Sequence, residues 1–253
     1  MKKEIYPITY RLEENYWWYV ARRKIIIDHL ASFFHDPAKK RKKPTLLDFG
    51  CGTGINLKNF SKYFEAYGLD SSIEAIGFCS KRGLNNVRLF DEDIYNGMNP
   101  FQKKFDVVTL LDVLEHLNNE AKYLSLIAHW LKESGILFLT VPAFQWVWSG
   151  EDYVSNHFRR YTKKKLVETL NESGFKIIKV SYFNFLLFPL QVMIVFINKI
   201  ISPSSQTKTN LKEMPNWINS LLENVMYFES SILRKYQFPF GGSILCVCQK
   251  NKQ

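Results

Sequence analysis

Thr45-Leu-Leu-Asp-Phe-Gly-Cys-Gly-Thr-Gly54 is an apolar run that passes directly into a turn with glycine at every second position. A strand covered on both faces reads as such an unbroken apolar run. Glycine accepts positive φ and lets backbone approach a ligand where a Cβ would collide. Helical spacing resumes over residues 55 to 64, so the unit is strand, turn, helix. The pattern is Asp-x-Gly-x-Gly-x-Gly, not the Gly-x-Gly-x-x-Gly that seats a pyrophosphate on a helix N-terminus. Taken alone, the loop also suits a plain turn, so its surroundings decide its meaning.

Working outward, strand-like runs at 45–49, 66–69, 86–90, 105–110 and 135–141 alternate with helical stretches at 55–64, 72–82, 118–132 and 163–173. This alternation predicts an α/β fold with a doubly wound, mainly parallel sheet. A sixth strand is expected at 176–182 and a last one at 243–250. Residues 16–34 carry aromatic and aliphatic groups at helical spacing, ahead of the basic run Lys39-Lys-Arg-Lys-Lys43. The chain thus divides into a helical cap and basic linker (1–44), a core (45–183 with 240–253) and a helical insert (184–239). Leaving the sixth strand at its carboxyl end, the insert is expected to roof the site that the glycine loop begins.

With 253 residues, 46% hydrophobic and 23% charged, the chain can bury a full core, which excludes a disordered tail or a disulfide scaffold. Cys51, Cys79, Cys246 and Cys248 form no C-x-x-C pair, so neither a structural zinc site nor any other metal site is expected. The N-terminal segment lacks an apolar signal core, and a cytoplasmic location is expected. The net charge of +10 permits an anionic partner: nucleic acid, lipid headgroups or an acidic substrate. The run from Asn184 to Ile197 is diluted by Asn184, Pro189 and Gln191 below what a membrane-spanning helix needs. Peripheral contact with an anionic membrane through this segment, aided by Lys199, Lys208 and Lys212, is the alternative to a purely roofing role.

Two more acids follow strand ends. Asp70 closes Tyr67-Gly-Leu-Asp70, where ribose hydroxyls would need a bidentate acceptor, and Asp93-Ile94 follow the third strand. With the glycine loop and Phe105-Asp-Val-Val-Thr-Leu-Leu-Asp-Val-Leu-Glu-His-Leu117, these residues resemble the class I S-adenosylmethionine (SAM) dependent methyltransferase family, in its small-molecule branch. The resemblance covers roughly residues 45 to 180. It implies a Rossmann-like seven-stranded sheet in the order 3-2-1-4-5-7-6, the last strand antiparallel. It also implies SAM as cofactor, S-adenosylhomocysteine (SAH) as product, and a donor site of Asp48, Gly50, Cys51, Gly52, Gly54, Asp70, Ser71, Asp93, Ile94, Leu111 and Asp112. Asp48 would help hold the SAM ammonium group, and Asp93 and Ile94 would meet the adenine. An Asn/Asp-Pro-Pro-aromatic segment, usual after the fourth strand of amino-methylating nucleic-acid enzymes, is replaced here by Leu111-Asp-Val-Leu114, which disfavours nucleic acid.

Transfer from a sulfonium needs alignment and water exclusion more than metal or acid, and a base only when the acceptor must lose a proton. His116, His157 and Asp152 are the candidates for that role. The dense polar and aromatic loop from Phe144 to Tyr161 suggests an acceptor pocket made by Trp146, Trp148, Arg160 and Tyr161, covered by Tyr16, Trp17 and Arg22 of the leading helix. The expected activity is methyl transfer to O or N of a small, partly apolar molecule or a modified peptide. A nucleic-acid methyltransferase and a non-catalytic SAM-binding protein are the competing readings.

Overall fold

The computed structural model describes residues 2–34, 42–95, 98–101, 104–201 and 213–251. Most of the basic linker, and Lys208 and Lys212, lie outside these residues. Seven strands form one sheet: β1 (Thr45–Phe49), β2 (Glu65–Asp70), β3 (Val87–Leu89), β4 (Phe105–Leu111), β5 (Leu131–Pro142), β6 (Phe175–Phe183) and β7 (Ser243–Lys250). Their order is β3-β2-β1-β4-β5-β7-β6, with β7 antiparallel to both neighbours and the pairs from β3 to β5 parallel. The expected sheet is therefore the observed one. Its central strands are unbroken apolar runs because both faces are covered: Leu46, Leu47, Val107, Val108, Leu137 and Leu139 are all fully buried.

The helices are α1 (Ile5–Leu12), α2 (Trp17–Phe34), α3 (Ile55–Phe60), α4 (Ile73–Lys81), α5 (Glu92–Tyr95), α6 (Glu120–Trp130), α7 (Gly150–Ser155), α8 (Lys163–Glu172), α9 (Phe188–Ile201) and α10 (Asn216–Leu233). Polar side chains start several of them: Ser72, Asn119 and Thr162 each accept a backbone N–H of the first turn of α4, α6 and α8. Short α1, α5 and α7 have no counterpart in the sequence reading, since one or two turns carry too little periodicity to register.

Helices α9 and α10 lie between β6 and β7, as the insert requires. Helix α10 packs along α2. Asn219 on α10 accepts from Trp17 N (2.7 Å) and donates to Asn15 O (2.6 Å), and Glu229 accepts from Phe185 N and Leu186 N. The insert thus backs the N-terminal cap; among the described residues, none beyond Phe158 lines the cavity beside the glycine turn.

The cap itself is fastened by one arginine. Arg82, at the end of α4, reaches Glu13 (2.7 Å), Glu14 (2.6 Å), Tyr10 O (3.2 Å) and Thr53 O (2.9 Å), with its guanidinium 4.2 Å from the Tyr10 ring centroid. Its planar fork joins α1, α4 and the glycine turn at once, which an ammonium group cannot do. Arg82→Ala leaves buried Glu13 without its cationic partner and is expected to cost about 3–5 kcal/mol in urea unfolding, with Arg82→Lys recovering only part. An unchanged midpoint for Arg82→Ala would remove the clamp.

Candidate active site

The carboxyl ends of β1, β2 and β4 meet at the glycine turn. Gly50 and Cys51 donate their backbone N–H groups to Leu69 O (2.7 and 3.0 Å), and Gly52 N donates to Asp70 Oδ2 (2.8 Å). Gly50 has φ +77°, and a Cβ there would lie 2.5 Å from Val113 Cγ2, so both conformation and space demand glycine. Gly54 meets Leu84 and Cys79 instead and serves the packing of α3 on α4.

A cavity of about 660 Å³ opens beside this turn. Of the residues expected at a site, it is lined by Gly50, Cys51, Gly52, Asp70, Ser71, Leu111, Asp112, Arg22, His116 and His157. Asp70 Oδ1 also accepts from Ser72 N (2.9 Å), and burial pushes its carboxyl above the ordinary range. Asp48 sits beneath the turn, fully buried: Oδ1 accepts from Thr109 (2.6 Å), while Oδ2 has no partner. Burial raises its pKa from near 3.8 to about 6. Asp112, at φ +56°, accepts from Thr140 (2.8 Å) and pairs with Arg22 (3.1 Å), tying α2 to the ends of β4 and β5.

Asp93 and Ile94 do not reach the cavity. Asp91 Oδ1 accepts from both of their backbone N–H groups and starts α5, which leaves Asp93 and Ile94 exposed. Phe49, Leu69 and Phe90 line that side instead. On α2, Tyr16 and Trp17 lie off the cavity, and Trp18, Tyr19, Arg22 and Arg23 form its wall. Those four positions share one face of a helix, a periodicity readable in the sequence once Arg22 is placed inward.

Several acceptor candidates turn out to hold the loop together. Asp152 is fully buried: Arg160 donates to it through Nε and Nη2 (2.7 Å each), Ser149 N donates at 2.8 Å, and His157 Nδ1 lies 2.8 Å away. Burial alone would raise its pKa, but the bonds from His157 and Arg160 overcome this and hold it well below the ordinary range. Asp152 is therefore a brace of the loop whose charge its partners favour. Arg160 also donates to Ala143 O (3.1 Å), and Tyr161 is buried with its hydroxyl on Glu120. Trp148 packs edge-on to Tyr153 and His157, while Trp146 packs against Phe144, Phe188 and Phe196. None of Asp152, Arg160, Tyr161, Trp146 and Trp148 lines the cavity.

His116 and His157 meet edge to face with ring centroids 4.6 Å apart. Burial, reinforced by His157, lowers the pKa of His116 to about 4, so it is neutral at pH 7. Asn156, left-handed at φ +56°, ends α7 and turns His157 back toward Asp152. Sequence reading missed Glu115 as a site residue. It is fully buried, lines the cavity, and has no hydrogen-bond partner on either carboxylate oxygen; burial pushes its carboxyl well above the usual range. Tyr6 and Thr9 of α1 and Tyr123 of α6 also line the cavity unforeseen.

Asp48 supplies a pH test. Its folded pKa near 6 exceeds the ordinary 3.8, so the unfolded chain releases this proton first as pH rises. Stability from this group is full below about pH 4 and lost as pH passes 6, a cost of about 3 kcal/mol. Asp48→Asn is expected to raise stability at pH 8 more than at pH 4 in parallel denaturant titrations. An equal effect at both pH values would mean that Asp48 titrates in the folded chain as it does in the unfolded one.

A model of the family described as "Methyltransferase domain" matches residues 17–180. Among curated proteins, the chain is 27% identical over 117 residues to (S)-coclaurine N-methyltransferase of Papaver somniferum, covering 44% of this chain and 33% of that one. It is 24% identical over 164 residues to the ubiquinone biosynthesis O-methyltransferase of Pelagibacter ubique, covering 58% and 68%. The chain spans about a third of the length of the first of these relatives. Among solved structures, it resembles the plantazolicin methyltransferase BpumL, in complex with a pentazolic desmethylPZN analog and SAH. That likeness has a TM-score of 0.59 at 16% identity and covers 98% of this chain and 91% of that one. The related BamL gives 0.58 at 20% identity, covering 92% and 86%. Fold, glycine turn and family model agree: this chain belongs to the methyltransferase-domain family, in its class I SAM-dependent form.

Proposed function

We propose that the chain moves a methyl group from SAM to an oxygen or nitrogen of a small, partly apolar acceptor, such as a natural product, a lipid-like intermediate or a modified peptide. One observation carries this reading: a single cavity joins the glycine turn and Asp70 at one side to His116 and His157 at the other. The site fits SAM. The orphan Oδ2 of Asp48, with the turn backbone above it, suits the ammonium of the amino-acid end, directly or through water. Asp70 suits the ribose hydroxyls, and Phe49, Leu69 and Phe90 suit an aromatic base. SAM, when bound, supplies a methyl on a sulfonium leaving group. The rest falls to the chain: Trp18, Tyr19, Ile5 and Phe158 exclude water and favour apolar acceptor parts, while Arg22 and the histidines present the polar wall. The names of the relatives, an N-methyltransferase and an O-methyltransferase, support an O or N acceptor.

A second reading concerns where the enzyme works. Among the described residues no helix is long and apolar enough to cross a membrane. Yet Leu190, Met193, Ile194, Ile197, Ile200 and Ile201 are all exposed on α9. Their spacing is that of a helix stripe that usually faces a core, and Lys199 adjoins it in a chain of net charge +10. An anionic lipid surface matches this combination.

Calorimetry with SAM is expected to show saturable binding, weakened by roughly 1 to 3 kcal/mol in Asp70→Ala; saturable NAD binding with none for SAM would sink the proposal. Labelled SAM incubated with host extract should mark a small lipophilic product, and a strictly hydrophilic sugar product would overturn the apolar acceptor. Vesicles containing phosphatidylglycerol should float the protein, and the pair Ile197→Glu with Ile200→Glu should abolish flotation while sparing SAM affinity. Failure of the native protein to float at low salt would dispose of the lipid reading.

A further inference from the structure

Glu115 and His116 belong to a short 3-10 turn after β4, and His157 follows α7, 41 residues further on. Their ligand atoms all lie within 4.8 Å of one another. Glu115 is fully buried with both oxygens unpartnered, and its Oε1 is 3.9 Å from His157 Nε2. A buried carboxylate left without a donor costs several kcal/mol unless it is neutralised or paired, by roughly the full desolvation of the group. Arg22 pairs through Nη2 with Asp112 and Arg160 pairs with Asp152, and neither donates a hydrogen bond to Glu115.

His157 is held as metal-ligating histidines are held. His157 donates from Nδ1 to Asp152 Oδ1 (2.8 Å), which leaves Nε2 as a lone-pair donor facing Glu115. Asp152 is locked in turn by two bonds from Arg160. His116 packs edge to face against His157, ring centroids 4.6 Å apart. An imidazole whose second nitrogen is fixed by a carboxylate or carbonyl is the usual outer shell of a metal centre.

We infer that Glu115, His116 and His157 form a binding site for a divalent transition-metal ion of the zinc type, with its open coordination position facing the cavity. Two imidazoles and one carboxylate suit zinc or cobalt better than magnesium, which prefers oxygen ligands and keeps its water. Three protein ligands leave room for an oxygen or nitrogen of the acceptor, and a metal there lowers the pKa of a bound hydroxyl. Metal binding rests on the geometry alone; its use in methyl transfer rests on the function proposed above.

The test is direct. The purified chain is stripped with chelator, dialysed and titrated with Zn²⁺ or Co²⁺ by calorimetry, with cobalt followed by its visible absorption. About one equivalent is expected to bind, and to be lost in Glu115→Gln and in His157→Ala. Asp152→Asn should keep the site but weaken it by about 10–100-fold. His129→Ala, on α6 and outside the cluster, should bind as the native chain does. Circular dichroism checks that each variant folds, and Glu115→Gln is chosen because it removes a buried charge without changing volume. Absence of binding by the native chain, or undiminished binding by folded Glu115→Gln and His157→Ala, overturns the site. SAM titration of the stripped chain separates the two readings: SAM binding without metal binding retires only the metal centre.

Discussion

The turn from Phe49 to Gly54 is the constraint on which the rest of the structure leans. Its positive φ angles reverse the chain immediately after β1 and bring backbone N–H groups onto Leu69 O and Asp70, so the first and second strands end in register. The same six residues receive the cap: Thr53 O accepts from Arg82, and the Thr53 hydroxyl meets Glu13. A side chain at Gly50 would therefore do more than fill a donor site. It would displace Val113, the residue from which the Glu115-His116 turn starts. The glycine turn and the Glu115-His116 turn are two sides of one close contact.

Above that contact, carboxylates are concentrated where burial disfavours their charge. Asp48 and Glu115 are fully enclosed and keep oxygens with no partner, while Asp112 and Asp152 are paired with arginines. A chain selected for stability alone would not leave such groups uncompensated, because each costs free energy that an apolar residue of similar size would save. Unpaired and buried on a cavity wall, Glu115 is most simply explained by what the cavity receives, and Asp48 by what the turn above it holds. Left-handed Asp112 and Asn156 belong to the same pattern: non-glycine residues held in sparsely populated backbone regions at the edge where ligands bind.

Much of this was legible in the chain. Strand order, the antiparallel last strand and the glycine turn follow from apolar runs, turn residues and the family resemblance they carry, because these features are local. What escaped was set by contacts distant in sequence. Nothing in the sequence singles out Arg82, yet Glu13, Glu14 and Tyr10 make it the clamp of the cap. Asp152, Arg160 and Tyr161 read as reactive polar groups in a binding loop, yet their mutual bonds and those to Ala143 and Glu120 consume them. Polarity in a loop does not reveal whether a side chain faces a ligand or the loop itself. At the start of α2 the sequence points to Tyr16 and Trp17, whereas Trp18 and Tyr19, two residues further on, line the cavity.

Two kinds of wall follow, with different consequences for specificity. The donor side is made of strand ends and the turn they enclose, fixed by parallel register over several strands, and it has little freedom to vary. The opposite side of the cavity is made of α1, α2, the 3-10 turn and the start of the segment after α7, joined by side chains and by single backbone bonds such as Lys2 N to Val154 O. Those joints can be remodelled without disturbing the sheet. The insert enters this logic indirectly: through Asn219 it sets the start of α2, and α2 carries Trp18, Tyr19 and Arg22 to the cavity. This wall of the cavity is thus carried by a helix that the insert positions and Arg22 ties down. A lipid surface met by α9 would act on the same cap from its outer side.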